Sequence, residues 1–170
     1  MKLKIINVSP KTNLHPLAAG CKISDIPAAG LKFSDALQER LKKLPQDFIC
    51  AREDFWPSKK ILAKIAAVKD FIVLEFDGKT PLAWTSDERR TAPRNCEKIS
   101  LDRESRIIEY PWDFLFINEE IIGDFAENEI FCEIRKGVNI DGFVKIGKGT
   151  VLLPGVYIEG NAAIGENCKI

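Results

Sequence analysis

The sequence has no excess of either charge, with Lys plus Arg and Asp plus Glu at 25 each in 170 residues. A balanced chain sets up no net field toward nucleic acid or an anionic membrane, so neither is expected as a partner. It has no run of 18 apolar residues, which excludes a membrane-spanning helix. The opening MKLKIINVSP lacks the apolar stretch of a signal peptide, so a cytoplasmic location is expected. Histidine is nearly missing: His15 stands alone, too little for a three-histidine zinc centre. The five cysteines, Cys21, Cys50, Cys96, Cys132 and Cys168, are scattered without a CxxC pair. That pattern fits reduced, mostly buried thiols rather than disulfides or a zinc site.

What the chain does have is apolar content, 45%, enough for a real core, and a period of six. Ile134, Ile140, Ile146, Leu152, Ile158, Ile164 and Ile170 occupy every sixth position. Four residues after each of the first six come the smaller Val138, Val144, Thr150, Val156, Ala162 and Cys168. Six is too long for strand alternation and wrong for a helix face. It is the hexapeptide pattern of a left-handed parallel β-helix, with one short strand and one turn per unit and three units per triangular coil. Residues 134–169 make two coils, stacked at about 4.8 Å, whereas a solenoid needs about three repeats to cover its interior. Ile170 opens a third coil, so the expectation is a piece of a longer repeat, with apolar residues and strand edges exposed at its end.

Ahead of the repeats the periodicity changes. LKFSDALQERLKKL (31–44) places Leu31, Leu37, Leu41 and Leu44 near helical spacing, with Ser34 as the expected N-cap and Pro45 just beyond. DFIC (47–50) reads as a strand and SKKILAKIAAVKD (58–70) as a second helix, its start marked by Pro57 and Ser58. FIVLEFDGKTPLAWTS (71–86) reads as a hairpin around Asp77-Gly78. Together these predict a small α/β domain with a mixed sheet. Residues 86–106 lack a period and read as a surface loop with an irregular strand, either simply solvated or gripping a phosphate with its Arg residues. In YPWDFLFINEEIIGDF (110–125), Pro111 fixes an extended entry, Trp112 and Phe114 are large anchors, and Asn118 is the expected cap of a short helix. This stretch reads as an aromatic packing joint or as a ligand contact. The domain boundaries expected are 1–109 for the α/β part, 110–133 for the joint and 134–170 for the repeats.

These features resemble a known family: two-domain sugar nucleotidyltransferases with a C-terminal left-handed β-helix. They are related to the bifunctional N-acetylglucosamine-1-phosphate uridyltransferase and glucosamine-1-phosphate acetyltransferase. A subgroup carries Leu-Pro-Leu-Thr-x-x-Arg-Pro-x-x-Asp-Ile-Arg near the N-terminus, then a Tyr-Pro-Trp-Asp joint, then hexapeptides. Here LHPLAAGCKISDIPAAG keeps Pro16, Leu17, Asp25 and Ile26 at matching spacing, and Tyr110, Pro111, Trp112 and Asp113 are intact. Cys21-Lys22 replaces the Arg-Pro pair, so an expected phosphate contact is either missing or passed to Lys22. The Gly-x-Gly-Thr-Arg nucleotide signature is absent, with only LAAG (17–20) echoing its start.

The resemblance implies an α/β N-terminal domain of reduced nucleotidyltransferase-like form followed by a truncated left-handed parallel β-helix. It implies a sugar-phosphate transferase acting on an amino sugar phosphate or a sugar nucleotide. Lys22, Asp25, Tyr110, Trp112 and Asp113 are then the candidate substrate contacts. Mg2+ would accompany a nucleotide, acetyl-CoA would be an acyl donor, no cofactor would be covalently bound, and the full-length protein would be a homotrimer. Acyl transfer of this type commonly uses a histidine base. His15 lies outside the repeats and reads as a surface or packing residue before a catalyst, so a base is expected beyond Ile170. The other function read from these residues is a non-catalytic binding and trimerisation module with a degenerate nucleotidyltransferase part.

Overall fold

The structure, a computed structural model, describes residues 2–6, 22–85 and 95–170. In chain order its elements are β1 (Lys2–Ile6), a 3-10 turn (Ile23–Asp25), β2 (Pro27–Ala28), β3 (Leu31–Lys32), α1 (Phe33–Leu41), β4 (Phe48–Arg52), β5 (Phe55–Trp56) and α2 (Lys59–Ala66). Next come β6 (Phe71–Leu74), β7 (Pro81–Thr85), β8 (Glu97–Ser100), β9 (Arg106–Ile107) and α3 (Asp113–Gly123). The remaining strands are β10 (Glu129–Ile130), β11 (Glu133–Ile134), β12 (Asn139–Asp141), β13 (Val144–Ile146), β14 (Val151–Leu152), β15 (Tyr157–Glu159) and β16 (Ala162–Ile164). They fall into two compact units. One holds the described residues up to Ile26 together with Leu31–Phe114; the other holds Pro27–Gly30 with Leu115–Ile170.

The first unit is built on a five-stranded mixed sheet in the order β1-β4-β7-β6-β8. β1 runs parallel to β4 and β8 parallel to β6, while β7 is antiparallel to both its neighbours. In α1, Phe33, Ala36, Leu37 and Leu41 recur at helical spacing and are all buried. The helix starts before the expected cap. The Ile26 carbonyl accepts the Phe33 N–H at 2.9 Å, and Lys32, not Ser34, takes the extended cap position without a side-chain bond. Backbone satisfaction of that first amide, with Phe33 fully buried behind it, removes the need for a hydroxyl cap.

α2 does use its expected cap: Ser58 Oγ accepts from the Ile61 N–H at 3.0 Å. The helix stops at Ala66, short of residue 70, because the buried Gln46 donates through Nε2 to the Ile65 and Val68 carbonyls, each at 2.8 Å. The hairpin forms where expected. Asp77 accepts from the Lys79 and Thr80 amides, and Gly78 adopts φ +68°. The Thr80 N–H, then the Lys79 N–H and the Thr80 hydroxyl, hold the Asp77 carboxyl at about 2.

In the second unit the repeats pair in parallel at an offset of eighteen residues, Ile134 beside Leu152, Asn139 beside Tyr157 and Val144 beside Ala162. Val144, Ile146 and Leu152 form the buried centre, with Val138, Ile140, Ile158 and Ile164 packed partly buried against it. The small position Thr150 is buried with its hydroxyl satisfied, donating to the Gly165 carbonyl at 2.8 Å and accepting from the Cys168 N–H at 3.0 Å. Asn161 ties this region to the end of α3: Nδ2 donates to the Ile122 and Phe125 carbonyls at 3.0 and 3.2 Å and lies 3.5 Å from that of Gly123, while Oδ1 accepts from the Phe143 N–H at 3.0 Å. α3 itself begins at Asp113, so Asn118 lies within it rather than capping it; its Oδ1 accepts from the Ala29 N–H at 2.6 Å.

The fold class expected from the sequence is corrected here. Instead of an α/β domain followed by a left-handed parallel β-helix, the described residues form small mixed and parallel sheets with three short helices, and no closed or solenoid sheet is present among them. The repeats are divided among three separate parallel sheets, β10-β13-β16, β11-β14 and β12-β15. Each strand is only two or three residues long. Turn residues with positive φ, Gly137, Gly142, Gly149, Gly155 and Gly160, lie between successive strands and redirect the chain, so that each strand falls in a different sheet from the one before it.

Candidate functional site

Tyr110, Trp112 and Asp113 come together in the turn that opens α3. The Tyr110 and Trp112 rings stack with centroids 4.5 Å apart and planes 7° from parallel, an arrangement worth about 0.5–1.5 kcal/mol beyond the area buried. The Asp113 carboxylate is bonded within the turn. Its Oδ2 accepts from the Glu109 and Tyr110 amides at 2.9 and 2.8 Å, and its own N–H donates to the Tyr110 carbonyl at 3.0 Å. A carboxylate accepting two backbone N–H groups fixes the turn from which both rings project. Pro111 sets the backbone between the rings. Trp112 remains 54% exposed.

Lys22 precedes the 3-10 turn and Asp25 is its last residue. Lys22 is its exposed, extended N-cap and accepts the Asp25 N–H through its carbonyl at 3.1 Å. Asp25 pairs with Lys32, Nζ to Oδ1 3.2 Å, on the surface, a contact of small energetic weight. Among the described residues no hydrogen bond, ion pair or ring contact joins these two to the Tyr110 turn. The expectations for His15, Pro16, Leu17 and Cys21 fall outside the described residues, as does the stretch 86–94.

A polar cluster that the sequence did not single out surrounds the start of α2. Ser58 Oγ donates to Asp102 Oδ2 at 2.6 Å while accepting from Ile61; Ser105 Oγ accepts the Ser58 N–H at 2.9 Å, and Asp102 Oδ1 accepts the Ser105 N–H at 2.8 Å. Ser58 and Ser105 are buried. Burial pushes the Asp102 carboxyl up, but hydrogen bonds from the Ser58 hydroxyl, Ser105 and the Glu104 amide outweigh it and leave it below the ordinary value. Asp102 and Ser105 sit in the stretch read as loop, and the only signal for them was the Ser58 cap that needed partners. Ser58→Ala is expected to cost about 1–2 kcal/mol through the lost cap. A depressed carboxyl stabilises the fold above its unfolded pKa of about 3.9 and loses that contribution as pH falls through the lower folded value. Urea midpoints measured against pH should therefore fall less steeply below about pH 4 in Ser58→Ala than in the parent protein.

Cys50, Cys96, Cys132 and Cys168 are free thiols, and burial pushes Cys96 and Cys132 above the ordinary cysteine value. Among the described residues no group of three or more His, Cys, Asp or Glu could hold a metal. The Asp25 and Asp113 carboxylates are engaged by Lys32 and by backbone amides. No helix among the described residues is long and apolar enough to cross a membrane. In comparisons with known proteins, no protein-family model and no curated protein matches this chain.

Proposed function

We propose that the protein is a sugar-phosphate transferase of the nucleotidyltransferase/acyltransferase type, acting on an amino sugar phosphate or a sugar nucleotide. The observation that carries this reading is the Tyr110–Trp112 stack, held at a turn that Asp113 fixes through two amides, with one aromatic face left in solvent. It is a pre-organised surface of the kind that small polar-apolar ligands use. The motif resemblance at Tyr110, Pro111, Trp112 and Asp113 supplies the chemistry. The test incubates the protein with UTP plus N-acetylglucosamine-1-phosphate, and separately with acetyl-CoA plus glucosamine-1-phosphate, while following pyrophosphate and free CoA. Release of either product is expected; silence in both reactions removes the reading.

A second reading, a non-catalytic binding and trimerisation module, draws on the second unit. Phe131 and Tyr157 are 68% and 61% exposed there, large apolar surface of a kind that marks interaction sites. Trimers in sedimentation together with ligand binding and no turnover would favour it.

A further inference from the structure

The turn that carries Tyr110 and Trp112 has turned several of its backbone groups on itself. The Glu109 and Tyr110 amides go to Asp113, the Asp113 N–H goes to Tyr110, and the Phe114 N–H reaches the Pro111 carbonyl at 3.2 Å. These backbone groups and the Asp113 oxygen that binds them are therefore unavailable to read the edge of a nucleobase, which needs matched donors and acceptors. What the turn offers is a flat indole face. Tyr110 covers its other side at 7° from parallel, so it can stack on one side only, and the stack holds the ring in one orientation before anything binds. The negative π face of an indole attracts positively polarised hydrogens, and the C–H groups on one side of a pyranose ring are such hydrogens, while the sugar hydroxyls stay in water.

We propose that the open face of Trp112 is a stacking surface for the pyranose ring of a sugar phosphate, with Asp113 as the positioning residue that fixes the turn. The inference rests on the transferase reading above and assigns the sugar ring, rather than the nucleotide base, to this place. The molecule provides its own reporter. Of its three tryptophans, Trp56 is 2% exposed, Trp84 8% and Trp112 54%, so acrylamide quenching of the fluorescence samples Trp112.

N-acetylglucosamine-1-phosphate at millimolar concentration is expected to shield Trp112 from acrylamide, and uridine is not. Trp112→Ala should weaken sugar-phosphate binding, measured by calorimetry, about tenfold, the scale of one lost aromatic contact. Asp113→Ala should raise quenching in the free protein and weaken binding, and Asp113→Asn, which keeps an acceptor oxygen, should recover most of both. Absence of shielding by the sugar phosphate overturns the proposal, as does shielding by uridine in its place. Turnover with a KM unchanged in Trp112→Ala would overturn the stacking surface while leaving the transferase reading intact. Shielding and binding without turnover would uphold the surface and remove the transferase.

Discussion

Gly142→Ala is expected to destabilise the repeat unit by about 2–6 kcal/mol, combining backbone strain of about 1–3 kcal/mol with overpacking of about 1–3 kcal/mol. Gly142 has φ +142°, and an added Cβ would lie 2.3 Å from the Gly160 oxygen, 2.4 Å from its carbonyl carbon and 2.9 Å from its Cα. All three are backbone atoms, so no flexible side chain can give way. The clash falls beside the Asp141–Glu159 pair of β12 and β15, where the Gly160 N–H donates to the Asp141 carbonyl at 2.6 Å. Gly155 is the control. It also has positive φ, +91°, but nothing lies within 4 Å of its added Cβ, so Gly155→Ala should cost only the strain, about 1–3 kcal/mol. Urea unfolding followed by circular dichroism measures both, and equal costs for the two variants would mean that close backbone approach is not what requires glycine at 142.

In the first unit, Phe33→Ala should cost about 3–5 kcal/mol through the cavity it opens. Phe33 is fully buried, its ring 5.7 Å from Trp56 in a tilted pair and 5.5 Å from Phe114 in an edge-on pair. Each pair adds about 0.5–1.5 kcal/mol to the area term, which places this substitution at the upper end of the range. It should also redshift the emission of Trp56 as water gains access to its pocket. Phe76, 73% exposed at the hairpin tip, is the contrast, and Phe76→Ala should stay within about 0.5 kcal/mol of the parent. A Phe33→Ala midpoint as close to the parent as that would show that the aromatic cluster does not hold this unit together.

Local signals in the sequence were dependable where one residue had one partner to find nearby. Ser58 before a helical run and Asp77-Gly78 between apolar runs each led to a cap and a hairpin, because a cap and a short loop, here four residues closed by Glu75 and Thr80, are completed within a few residues. Element ends were less legible. Where α2 stops depends on Gln46, 19 and 22 residues from the carbonyls it binds, and where α1 starts depends on the carbonyl of Ile26, which lies outside the helical run. The hexapeptide spacing did bring Ile134 beside Leu152 and Ile140 beside Ile158, yet spacing alone says which residues are neighbours and not whether short strands join sideways into one sheet. At the candidate site the sequence grouped Lys22 and Asp25 with Tyr110, Trp112 and Asp113. It could not show that Asp113 Oδ2 accepts the Glu109 and Tyr110 amides of its own turn, because those bonds depend on how the chain bends there.

The end of α3 is completed by a side chain that follows it by 36 to 39 residues, Asn161 bonding the Ile122 and Phe125 carbonyls. The strand pairings of the same unit span sixteen or eighteen residues, so their closure is entropically cheaper and faster. The carbonyls at the end of this helix are therefore satisfied by a residue that the chain reaches only after the first row of strands is complete. Asn161 thus links two rows at once, the helix end through Nδ2 and the Phe143 amide beside β13 through Oδ1.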